Sequence, residues 1–167
     1  MADVTLMKTP AETALAQAFE SAKTSLPGQA ESRAQAFEQF NQRGLPHRRV
    51  EEFKYTDLRA MMRDIAPFAG VPTADEVKAA LAGAKALAGV EALQVPFVNG
   101  HFVRDAVDFH NLPENVEIVP LAEALADGHE WLARLSPVPW ANDNPVYQLN
   151  TSFMADGVMI RISQSTH

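Results

Sequence analysis

Apolar residues at Leu15, Ala18, Phe19, Ala22 and Leu26 recur at steps of three and four, so they line one stripe of a helix. Thr9, Pro10 and Glu12 just before them fit an N-cap, a first helical position and an N3 acid, which together form a capping box. Leu26-Pro27-Gly28 supplies the stop. A second stripe of Ala30, Ala34, Phe37 and Phe40 predicts a helix over about residues 30–43, with Gly44 as its C′ residue. Two amphipathic helices joined by so short a link pack antiparallel as a hairpin.

The pattern changes after the breaker cluster Pro67 to Pro72. Thr73 with Glu76 repeats the capping box and opens an Ala-rich helix to about Leu81, with Val77 and Leu81 facing the body of the fold. VEALQVPFVNGHFVRDAV then places two runs rich in Val and Phe around Asn99-Gly100. That pair tolerates the positive φ angles of a type I′ turn, so a β-hairpin is predicted. Residues 115–119 read as a strand, residues 120–126 as a short helix ending before Gly128, and His129 to Leu135 as one more helical turn. Ser136-Pro137-Val138-Pro139 breaks the chain. Pro145 starts a final helix, Asp156-Gly157 makes a turn, and Val158 to Ile162 is a strand.

That last strand needs a neighbour for its backbone groups and apolar side chains, and no later residues provide one. The expectation is that the chain stops where a larger β structure begins. The elements divide into a helical region with a docking segment (1–68), a small α/β region with the β-hairpin (71–135), and a terminal piece (145–167).

Composition narrows the function. With 47% apolar and 21% charged residues, the chain is ordinary globular material rather than a disordered one. The net charge of −7 disfavours a polyphosphate partner. The absence of cysteine removes any thiolate nucleophile, or thiolate ligand for zinc or an iron–sulfur cluster. Asp3 and Glu12 stand where a signal peptide would carry Lys or Arg, and no window approaches the roughly 18 apolar residues of a membrane span. A soluble cytoplasmic protein is expected.

The candidates for chemistry are few. None of His47, His101, His110, His129 and His167 pairs with another at i, i+4, although His101 and His110 flank the hairpin. Glu51 and Glu52 are adjacent and therefore point apart, which is a poor arrangement for sharing a proton. No G-x-S-x-G elbow or Gly-rich phosphate loop is present. His47-Arg48-Arg49 and Lys54, with Phe53 and Tyr55 available for stacking, could grip nucleic acid, but Glu51, Glu52 and Asp57 cancel most of that field. The preferred reading of GLPHRRVEEFKYTDLR is architectural, with its charges paired and Phe53 and Tyr55 inserted into the core. Trp131 and Trp140, flanking the Pro-rich segment, read as packing anchors, with a partner-binding module as the competing reading.

The same stretch carries a family resemblance. Pro46, Arg48, Arg49, Glu51, Glu52, Phe53, Lys54, Tyr55 and Thr56 resemble the N-terminal signature of the SufD branch of the SufB/SufD family, scaffold subunits of the SUF iron–sulfur assembly system. FVNGHFV, LPENVEIVPLAEAL and LNTSFMADGVMIRI resemble three further family segments, in the family's order. Phe53 stands where the family commonly has Trp, and Ser152 where a small residue such as Ala is usual.

The resemblance implies an α+β N-terminal region leading into a right-handed parallel β-helix, of which only the first strand would lie in this chain. It also implies SufB and SufC homologues as partners through the full-length protein, with neither nucleic acid nor membrane. The role expected of this piece is non-catalytic, capping one end of the solenoid. No catalytic, metal or cofactor-binding residue is assigned to the chain.

Overall fold

A computed structural model describes residues 7–84, 92–135 and 143–163. Its helices are α1 (Pro10–Ala22), α2 (Ala30–Arg43), α3 (Leu58–Met61), α4 (Ala74–Gly83), α5 (Leu121–Asp127) and α6 (Pro145–Phe153). Its strands are β1 (Phe97–Val98), β2 (His101–Phe102), β3 (Val116–Pro120) and β4 (Val158–Ile162). The architecture is mixed α+β. The chain divides into two compact units, Met1–Pro67 with Ala133–Met154 and Phe68–Leu132 with Ala155–His167.

The first unit is helical, and its local signals hold. Thr9 and Glu12 cap α1 reciprocally, while Gly44 closes α2 at φ 70° with its N–H on the Phe40 carbonyl. α1 ends at Ala22, a turn before the predicted stop. There Ser25 Oγ and the Leu26 N–H both donate to the Ala22 carbonyl, so a turn replaces the helix. Glu12 lies against Leu45 and Phe19 against Phe37, which makes α1 and α2 antiparallel. Ala11, Leu15, Phe19, Phe37, Phe40 and Leu45 form the core. Phe19 and Phe37 stack at 4.3 Å, and Phe153 of α6 meets Phe19 edge-on at 5.6 Å.

α6 is the partner that the helical periodicity could not name, and it packs extensively on α2. Close approach depends on Ser152, which is fully buried. Its hydroxyl donates back to the carbonyls of Gln148 and Leu149, so a small polar residue sits in the core without an unmet hydrogen bond. Beside it Arg33, 1% exposed, donates to the carbonyls of Pro27, Gly28 and Ser152. Two link carbonyls and one at the end of α6 thus accept from the buried guanidinium, and no carboxylate pairs with it among the described residues.

In the second unit Asn99 (φ 53°) and Gly100 (φ 82°) make the predicted two-residue turn. The pairing is Phe97 with Phe102 and Val98 with His101. The strands are only two residues long, shorter than the flanking apolar runs suggest. Pro96 lacks an N–H to extend the ladder, and a 3₁₀ turn at Arg104–Ala106 diverts the other side. α4 carries the expected capping box, but Leu81 is 36% exposed and no α4 residue is fully buried, so its apolar face is only partly covered.

β4 forms where the sequence places it, but it is not an orphan. It pairs antiparallel with β3 upstream, Val116 opposite Ile162 through Pro120 opposite Val158. The strand reading assumed a downstream partner, whereas hydrogen bonding needs only proximity, and the turn after α6 brings β4 back to β3. The described residues hold two small antiparallel sheets and no parallel β-helix. Trp140 and the Ser136 to Pro139 segment lie outside the described residues.

Candidate interaction loop

Residues 46–59 leave the core and return to it. The Arg59 N–H donates to the Pro46 carbonyl at 3.2 Å, closing a loop of the compact Ω type. One buried carboxylate anchors its start. Glu12 accepts from the Thr9 N–H at 2.7 Å with one oxygen and from the Leu45 N–H at 2.7 Å with the other. Gly44 leaves room for this carboxylate, because a Cβ there would collide with Glu12 Oε1. Burial pushes the Glu12 pKa up, but the N–H groups of Thr9 and Leu45, the Thr9 hydroxyl and the charge of Arg59 outweigh it and leave it below the ordinary value. The Arg59 guanidinium also donates to the Met7 carbonyl at 2.7 Å, fastening the other end.

Within the loop, short-range hydrogen bonds recur. His47 Nδ1 accepts from the Arg49 N–H, Val50 donates to the His47 carbonyl, and a 3₁₀ turn runs Glu51–Phe53. Asp57 caps α3 through the Ala60 N–H at 3.0 Å. That bond, opposed by slight desolvation and reinforced by the Arg48 N–H and the charges of Arg48 and His47, holds the Asp57 carboxyl below its usual range. These bonds restrain part of the loop backbone, and Tyr55 projects into solvent.

This corrects the core placement expected for the aromatics. Tyr55 is 93% exposed, and Phe53 is only half-buried. Lys54 lies 5.3 Å from the Tyr55 ring centroid and pairs with Glu51, while Arg48, Arg49 and Glu52 are exposed. The loop closes through bonds at its ends and short-range bonds between them without burying Tyr55, and sequence alternation cannot distinguish an inserted aromatic from a presented one. Glu51 and Glu52, both solvated, do not form a desolvated acid–base pair.

His167 lies outside the described residues, and the other candidates within them sit in ordinary packing. His101 Nδ1 lies 3.5 Å from Asp156, whose carboxylate also accepts from the Phe102 and Gly157 N–H groups at 3.0 and 2.7 Å. His110 donates its backbone N–H to Asp108, and His129 Nδ1 accepts from the Trp131 N–H. Trp131 is covered by the Arg161 guanidinium 4.7 Å from its ring centroid. Among the described residues no three His, Asp or Glu side chains gather as a metal site would require, and no helix is long and apolar enough to cross a membrane. Sequence reading missed Asp156 as the link between the hairpin and the turn before β4, although the Asp-Gly pair marked its position.

Three of the quoted segments thus map onto defined features: the loop, the Asn99-Gly100 hairpin, and the α6–turn–β4 segment held by Ser152 and Asp156. A family model described as the SufBD protein N-terminal region matches residues 18–167. The chain belongs to the SufBD family. No curated protein and no solved structure gives a significant match. The SufBD match takes in α2, the loop and both small sheets, and it places the chain among components of SUF iron–sulfur cluster assembly.

Proposed function

We propose that the chain is the N-terminal region of a SufD-like subunit, acting with SufB and SufC homologues in the cytoplasm as a non-catalytic part of the SUF scaffold. The iron–sulfur cluster is the cargo of that assembly, and no residue here is assigned to hold it. The observation that carries the reading is the SufBD match over residues 18–167, and the resemblance of the residues from Pro46 to Thr56 to the SufD signature is what favours that branch over SufB. The structural role is supported by β4, which among the described residues pairs with β3 on one edge. Its other edge can accept the next strand of a β-helix that this region would cap, and the exposed Ile160 and Ile162 side chains on a face of β4 would be covered by that core.

Size-exclusion chromatography of the full-length protein mixed with SufB and SufC homologues tests the proposal. Co-elution as one complex is expected, and separate elution of all components would sink it.

A further inference from the structure

We propose that the 167-residue chain pairs with a second copy of itself along the outer edge of β4, giving a closed two-fold dimer. The inference stands on the β3–β4 sheet and does not rest on the SufD reading. In the full-length subunit proposed above, the next strand would compete for the same edge.

The phase of the ladder decides which backbone groups point outward. The Leu121 N–H donates to the Gly157 carbonyl and the Ser163 N–H to the Asn115 carbonyl, both at 2.9 Å, so the odd-numbered residues of β4 face β3. Val158, Ile160 and Ile162 therefore turn their N–H and C=O groups to the outer edge, where none of the described residues bonds them. The outer edge of β3 is different. Val116 donates its N–H to the Pro113 carbonyl at 2.9 Å and Pro120 has no N–H, which leaves one outward donor there, on Ile118, among the described residues. The sheet is open along β4 and nearly closed along β3.

A second copy fits the open edge in one register. Antiparallel pairing about Ile160 brings outward N–H groups onto outward carbonyls without a slip. It sets Ile160 against its own counterpart, Val158 against Ile162 of the second copy, and Met159 against Arg161. No like charges stand opposite, no proline falls in the ladder, and Arg161 keeps Glu117 as its ion-pair partner. Opposed side chains share a face, so Val158, Ile160 and Ile162 of both copies join into one apolar patch. That face lacks cover in the single chain: exposure rises from 9% at Ile118 to 50% at Ile160 and 70% at Ile162. The two β3 strands then flank the combined sheet, and their closed edges stop growth at two copies.

Sedimentation equilibrium of the 167-residue chain tests this. A reversible monomer–dimer equilibrium is expected, and added salt should preserve or tighten it, because each copy carries a net charge of −7 and the contact is apolar. Ile160→Lys and Ile160→Glu each put like charges on the two-fold axis and should weaken dimerisation on the order of tenfold or more, while an equimolar mixture of the two should recover it. Circular dichroism melts show whether these variants are folded. The chain has no cysteine, so Ile160→Cys supplies one thiol per copy, at a Cα separation of about 5.5 Å in this register. Mild oxidation should link that variant into dimers faster than the control Lys78→Cys. A monomer at every concentration, dimers lost on adding salt, growth beyond two copies, a mixture of folded variants that stays monomeric, or equal oxidation of the two thiol variants would each overturn the proposal.

Discussion

Replacing Glu12 with Gln tests how the loop is anchored. The substitution keeps the shape of the side chain but puts an NH₂ group where one oxygen now accepts from Thr9 or Leu45. One charge-assisted bond is lost and two donors face each other in a buried site. A hydrogen bond to a charged group contributes about 1.5–3 kcal/mol, so the variant should lose about 2 kcal/mol of stability at neutral pH.

Glu12→Ala should cost about 3 kcal/mol, because it leaves the buried Leu45 N–H without a partner and dismantles the capping box. The Gly44 contact supplies an internal check. Gly44→Ala must displace the carboxylate as well as strain the backbone, so it should be more costly in wild type than in the Glu12→Ala background, where about 1–3 kcal/mol of backbone strain remains.

The pH dependence has a definite sign. The folded pKa of Glu12 lies below its ordinary 4.5, so the ionised form is favoured by folding. Its contribution is fully present above that value and is lost as pH falls through the folded pKa. Urea unfolding followed by far-UV circular dichroism should therefore show wild type and Glu12→Gln separated at pH 7 and converging in acid. A difference within about 0.5 kcal/mol at pH 7, the range of an indifferent surface change, would refute the anchoring argument.

Two further outcomes follow from the packing. Ser152→Ala should leave the melting temperature almost unchanged, since the hydroxyl bonds only its own helix, whereas Ser152→Leu should destabilise by about 1–3 kcal/mol through overpacking against α2; equal effects of the two would show that the site is not sterically tight. Asp156→Ala should cost about 1–3 kcal/mol by freeing the partly buried Phe102 N–H, and amide exchange at Phe102 should quicken, with unchanged protection there counting against the link.

Much of this fold is legible along the chain because its signals are local. A capping box involves residues three apart, an Asn-Gly turn involves two neighbours, and Gly44 and Pro145 mark helix ends through their own backbone chemistry. The helix over residues 30–43 and the strand over 158–162 therefore stand where the periodicity puts them. The SufBD signature is equally a property of residue order, and it names the family without any coordinates.

Partnership is not local. Nothing in VMIRI says that its neighbour lies some forty residues upstream, because either edge of a strand accepts any backbone brought alongside it. Ser152 reads as a tolerated substitution until α2 is seen against it, and Glu12 reads as a helix cap until Leu45 is found donating to its second oxygen. Tyr55 shows the same limit most plainly. An aromatic between charges can be buried or presented, and the choice rests on whether the fold brings apolar surface against the ring, which here it does not for Tyr55.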